Sequence, residues 1–125
     1  MLKLEQFNRQ KYLNLETFRK SGINVRTLVW FVQDGNTIFV RTLENSGKVK
    51  RIRNSGQVNI AVCKMDGRLI GEWVHATANE VVDQETDKKV DRLLDKKYGL
   101  MKKMFSLTSG AKGKKNTILE IRVTE

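Results

Sequence analysis

The sequence predicts a mainly β chain with a few helices, folded as one small barrel domain over residues 1–125. Three observations carry this prediction. Period-two alternation of apolar and polar residues recurs along the chain, with glycine-containing turns between the runs. Helical spacing is confined to a few stretches. A chain of 125 residues with 39% apolar content fills one core and leaves little room for a second. Closing a sheet into a barrel also removes edges that would otherwise pair between molecules.

The elements follow in order. Tyr12 to Arg19 sets Leu13, Leu15 and Thr17 against Tyr12, Asn14, Glu16 and Phe18, a strand pattern. Lys20-Ser21-Gly22 turns the chain. Val25 to Val32, β-branched and aromatic, is the next strand. Asp34-Gly35 predicts a hairpin from it into Thr37 to Thr42, which would bring Arg26 towards Arg41 and Thr42. Ser46 to Asn54 breaks the alternation: Val49 and Ile52 form a narrow helical stripe among Lys48, Lys50, Arg51 and Arg53, with Ser46 as N-cap. Val58 to Lys64 and Glu72 to Val82 are strands about a turn at Met65-Asp66-Gly67-Arg68. In the second, Val74, Ala76 and Ala78 oppose Trp73, His75 and Thr77. Asp83 caps a longer helix whose stripe is Val90, Leu93 and Leu94 and whose stop is Gly99. Glu85 and Asp87 near its start and Lys96 and Lys97 near its end suit the helix dipole. Leu100 to Leu107 reads as a further short helix, Thr108 to Lys115 as a basic loop, and Thr117 to Val123 as the closing strand. With no proline in the chain, glycine is the main punctuation.

Charge narrows the function. A formal charge of +10, from 24 basic and 14 acidic residues, points to an anionic partner. Nucleic acid, a phosphorylated cofactor and an acidic membrane surface all satisfy that charge. No apolar run approaches the ~20 residues of a membrane span, and the first ten residues lack the apolar centre of a signal peptide. Cys63 is the only cysteine and His75 the only histidine, so an internal disulfide and cysteine- or histidine-rich metal sites are excluded. A reducing, cytoplasmic setting is the simplest expectation. Cys63 reads as a core residue, and His75 as a partly buried structural histidine with no nucleophile beside it.

The most informative stretch runs from Arg41-Thr42 to Ser46-Gly47-Lys48. A helix start offers free N–H groups and a positive dipole end. Ser46 adds a hydroxyl, Gly47 admits close approach to the backbone, and Lys48 adds an ammonium; Arg41 and Thr42 close the other side, with Arg26 and Thr27 from the preceding strand. Together these form an anion cradle. The same spacing also describes a solvated basic helix resting on Val49 and Ile52, and spacing alone leans that way.

The runs Thr17-Phe18-Arg19-Lys20-Ser21-Gly22, Thr27-Leu28-Val29-Trp30-Phe31 and Ser46-Gly47-Lys48-Val49-Lys50-Arg51-Ile52-Arg53-Asn54 resemble the pyridoxamine 5′-phosphate oxidase-like flavin-binding split-barrel proteins. Val58 to Cys63, Gly67-Arg68, Gly71 to Ala78 and Lys96-Lys97-Tyr98-Gly99-Leu100 agree in order and spacing. The Ser-Gly-Lys-Val-Lys-Arg-Ile-Arg run and the Lys-Tyr-Gly ending are most similar to the subgroup that uses the deazaflavin coenzyme F420. The sequence departs from that subgroup at Leu28 and at Ser55-Gly56, where prolines are frequent. The resemblance implies a split β-barrel homodimer with cofactor sites at the subunit interface. It implies F420 or FMN held through its phosphate by Arg26, Thr27, Arg41, Thr42, Ser46, Gly47 and Lys48. Hydride transfer to or from a small organic substrate would then be the cofactor's chemistry, with no catalytic acid–base pair required of the protein. Two alternatives stand beside this reading: an FMN-binding protein of the same fold, and a small basic barrel that binds nucleic acid. Against the second, Phe31, Phe39, Trp30 and Tyr12 lie in apolar strands without an exposed pair between basic residues, so nucleic acid is not the expected partner, and neither is a membrane.

Overall fold

The computed structural model describes residues 6, 7, 9–99 and 115–123. Its strands are β1 (Tyr12–Phe18), β2 (Asn24–Trp30), β3 (Val32–Asp34), β4 (Thr37–Leu43), β5 (Gln57–Cys63), β6 (Val74–Val81) and β7 (Asn116–Val123). The helices are α1 (Gly47–Asn54) and α2 (Gln84–Tyr98). All seven strands join one antiparallel sheet in the order β2-β1-β5-β6-β7-β4-β3.

Alternation decides which face each residue takes. Leu13 and Leu15 of β1, Val29 of β2, Ile38 and Val40 of β4, Ile60 of β5, Ala76 of β6 and Leu119 and Ile121 of β7 meet in one buried cluster. β2, at one end of the strand order, and β4, next to the other end, both contribute to that cluster and come within reach of each other, so the sheet curls into a half-barrel around it. The mainly β barrel read from the sequence is thus present. α1 buries Val49 and Ile52 into the same cluster and lies against β1 and β6. Its exit explains Ser55-Gly56: the Gly56 carbonyl accepts from the Ala78 N–H at 2.8 Å, and a Cβ on Gly56 would stand 2.8 Å from the Ala78 carbonyl oxygen.

The convex face carries α2. Val90, Leu94 and Tyr98 pack on Val32, Phe39 and Ile118, with Trp30, Val81 and Leu93 around them. Asp83 caps the helix by accepting from the Thr86 N–H at 3.1 Å, and Gly99, at φ 52°, ends it by donating to the Asp95 carbonyl at 2.9 Å. The Tyr98 ring stacks on Trp30 with centroids 4.2 Å apart.

The hairpin expected from Val25–Val32 into Thr37–Thr42 forms differently. The run breaks at Phe31, and only β3 pairs with β4, while β2 pairs with β1. The cause is the C-terminus of α2. Tyr98 Oη accepts from the Phe31 N–H at 3.0 Å, and Lys97 Nζ donates to the Phe31 carbonyl at 2.8 Å. With both its backbone groups engaged there, Phe31 makes no ladder bond. β6 starts at Val74 rather than Glu72, because the Ile70 N–H turns back to the Val62 carbonyl. His75 is exposed, not partly buried: it lies on the row of β6 opposite Val74, Ala76 and Ala78. Cys63 is buried as expected. The helix expected over Leu100–Leu107 and nearly all of the Thr108–Lys115 loop lie outside the described residues. Among the described residues, no helix is long and apolar enough to cross a membrane.

Candidate functional site

Helix α1 begins without the usual means of closing a helix start. Ser46 sits at the N-cap with extended backbone, and its N–H donates to the Leu43 carbonyl at 3.1 Å. Its own carbonyl accepts the first helical bond, from the Lys50 N–H at 3.2 Å. The amides of Gly47, Lys48 and Val49 therefore precede the first intrahelical donor. A serine here normally caps one of them. The Ser46 side chain makes no such bond, and Oγ is enclosed without a hydrogen-bond partner among the described residues. No acidic residue stands in the first turn.

Cations gather at this end instead. Lys48 is partly buried; burial, and after it the Arg51 charge, lower its affinity for its proton. Arg51 lies one turn on. Its Nε donates to Thr17 Oγ1 of β1 at 2.6 Å. Burial, followed by the charge of Arg19, destabilises the protonated guanidinium. None of Arg19, Lys48 and Arg51 meets a carboxylate among the described residues, whereas Arg26, Arg41, Arg53, Arg68 and Arg122 each do. Like charges beside the positive end of a helix dipole raise one another's energy, and an anion bound among them offsets that repulsion. The arrangement offers fixed donors and positive charge. It offers no nucleophile and no acid–base pair.

Of the residues expected at the site, Ser46, Gly47 and Lys48 stand together at the helix start. Thr27 and Thr42 lie half-buried on the concave rows of β2 and β4, in register with Val29 and with Val40. Arg26 and Arg41 fall on the opposite rows and are engaged elsewhere. Arg26 Nε donates to Glu16 Oε2 at 2.9 Å, and its guanidinium lies 4.8 Å from the centre of the Trp73 ring. Glu16, 6% exposed, also accepts from Asn24 at 2.9 Å and Asn59 at 2.8 Å. Burial opposes its charge, but hydrogen bonds from Asn59, Arg26 and Asn24 outweigh burial and hold its pKa below the ordinary value. Arg41 reaches α2, donating to Asp91 Oδ1 at 2.8 Å and Asp87 Oδ1 at 3.0 Å. The expected approach of Arg26 to Arg41 fails with the hairpin that would have produced it. A cleft of 650 Å³ opens beside Arg41, but Glu44, Asp87 and Asp91 line it, a poor setting for a phosphate.

Arg51 and Thr17 were not expected at the site. The four-residue step from Gly47 to Arg51 was visible in the sequence, since it places both on one helix face. The contact with Thr17, 34 residues away, was not.

With this geometry in place, comparison decides the family. A family profile described as pyridoxamine 5′-phosphate oxidase matches residues 3–125. The chain belongs to the pyridoxamine 5′-phosphate oxidase family. No curated protein matches the sequence. Solved structures match over nearly the whole chain. HutZ, a heme storage protein from Vibrio cholerae, superposes with a TM-score of 0.73 at 16% identity, covering 97% of this chain and 87% of its own. An F420 reductase gives 0.63 at 17% identity, covering 98% and 93%. A FAD-binding protein from Mesorhizobium loti gives 0.67 at 10% identity, covering 97% and 84%. At these identities the likeness is one of fold. Members of this fold that bind quite different groups share the half-barrel described above, so what this chain binds rests on its own residues.

Proposed function

We propose that this member of the family is a flavin-type oxidoreductase that binds F420 or FMN and serves hydride transfer to or from a small organic substrate. One observation carries the reading: a helix start with free amides, an uncommitted serine hydroxyl and a partly buried lysine, with no acid in its first turn. F420 and FMN share a phosphoribityl arm, and a phosphate is the anion such a start suits. The amides of Gly47 to Val49 and the Ser46 hydroxyl would hold its oxygens, and Lys48 would neutralise its charge. Gly47 leaves the backbone open to it. Thr27 and Thr42 would flank the arm from the concave rows. Arg26 and Arg41, on the opposite rows and held by carboxylates, would stay outside this cradle. The bound group supplies the hydride chemistry; the protein fixes its position. An F420 reductase and a FAD-binding protein among the structural neighbours support this choice of ligand class.

A homodimer, with the cofactor between subunits, completes the proposal. The nucleic-acid reading of the +10 charge finds less support. Single-strand binding needs exposed aromatic platforms, while Phe31 and Phe39 are buried and Trp30 is stacked on Tyr98. Parallel titrations of the purified protein with FMN and with F420, followed by fluorescence, test the function. Saturable binding of either at one site per chain is expected. Failure of both to bind would overturn the reading.

A further inference from the structure

We infer that Arg51 is a second anion-gripping side chain of this site, aimed at the helix start by Thr17 and admitted there by Gly47. The inference rests on the phosphate reading of α1. It adds a residue that neither the sequence motif nor the fold assigns.

The geometry is specific. Arg51 Nη1 lies 2.7 Å from where a Cβ on Gly47 would stand, with Cζ and Nη2 at 3.4 Å. The guanidinium thus lies back along the helix, over its first residue. A side chain at position 47 would displace it. The direction is opposed by electrostatics, because it carries a positive charge towards the positive end of the dipole and towards Lys48. Thr17 holds it there. This threonine is 1% exposed, its Oγ1 accepts from Arg51 Nε at 2.6 Å, and it has the Val25 carbonyl at 3.5 Å as acceptor for its own proton. Two residues further along the same helix, Arg53 forms an ordinary fork on Glu80, at 2.7 and 2.9 Å. Arg51 has no such partner. Nε is spent on Thr17, leaving the two terminal nitrogens, with their four N–H donors, beside the free amides. A guanidinium fixed at one nitrogen, with its fork directed at a helix start, presents the shape that a phosphate ester accepts in bidentate fashion. The Ser46 hydroxyl at the same corner is enclosed and has no hydrogen-bond partner among the described residues, so it is uncommitted and free to turn towards an anion there.

The test compares FMN, F420, riboflavin and inorganic phosphate on the wild type, Arg51→Gln, Arg51→Lys and Thr17→Val. Melting curves verify that each variant is folded, and Arg51→Lys serves if Arg51→Gln is not. Loss of one charge-assisted contact predicts FMN binding weakened by about 10- to 100-fold in Arg51→Gln. Riboflavin, which has no phosphate, should bind each variant as it binds the wild type. Arg51→Lys keeps the charge but loses the Thr17 contact and the fork, so it and Thr17→Val should fall between. If the wild type binds FMN and Arg51→Gln binds it equally well, the role of Arg51 is refuted and the cofactor reading stands. If the wild type binds neither FMN nor F420 but binds phosphate in an Arg51-dependent way, the cofactor reading fails and the anion grip stands. If it binds none of the three, both fail.

Discussion

Replacing Lys48 by methionine separates the cost of this site from its use. Methionine keeps an unbranched apolar stem of similar length and removes only the ammonium. In the ligand-free protein the ammonium stands at the positive end of the helix dipole, near Arg51, with no acid in the first turn. Removing a cation from that end is worth about 0.3–1 kcal/mol. Relief of repulsion from Arg51 has the same sign. The ligand-free variant should therefore melt about 1–4 °C higher than the wild type, as expected for a gain of this size in a domain of this length. Binding should move the other way. Loss of a charge-assisted hydrogen bond costs about 1.5–3 kcal/mol, so the FMN Kd should rise by about 10- to 150-fold. Differential scanning calorimetry and fluorescence titration read the two quantities on the same preparation. A variant that melts lower and binds FMN as tightly as the wild type would refute the reasoning. Lys48 would then be a packing residue on a solvated helix.

The remaining predictions concern the framework of the sheet. Tyr98→Phe keeps the stack on Trp30 but strands the buried Phe31 N–H, and chemical denaturation should show a loss of about 1–3 kcal/mol. The Glu16 carboxylate has a folded-state pKa below its ordinary 4.5, so its contribution is complete above that value and is lost as pH falls through the lower folded-state pKa. Glu16→Gln should cost about 1–3 kcal/mol at neutral pH and flatten the fall in melting temperature below pH 4.5, as pH-dependent melting would measure.

The half-barrel was legible because its signals are local. Alternation in Tyr12–Arg19 and Thr117–Val123 assigns buried and exposed rows whatever the partner strand. Asp83 and Gly99 mark the ends of α2 through groups three or four residues away. What escaped depends on distant residues. The break at Phe31 arises from Tyr98, 67 positions later, which outcompetes a strand partner for one backbone N–H. The Arg41 carboxylates lie on α2, 46 and 50 residues on. The site divides along the same line. Ser46-Gly47-Lys48 was readable because a helix start is a local object. Arg26 and Thr27, or Arg41 and Thr42, sit on opposite faces of their strands, so adjacency in sequence separates their side chains. Thr17 and Arg51 meet only because α1 folds back over β1.

The central claim is that the start of α1 holds a phosphate ester. Amide resonances of the protein in solution report on this directly. Adding FMN should shift the N–H signals of Gly47, Lys48 and Val49 the most, and adding riboflavin should leave them in place. Equal responses to both compounds, or shifts centred on Arg26 or Arg41 with residues 47–49 unmoved, would contradict it.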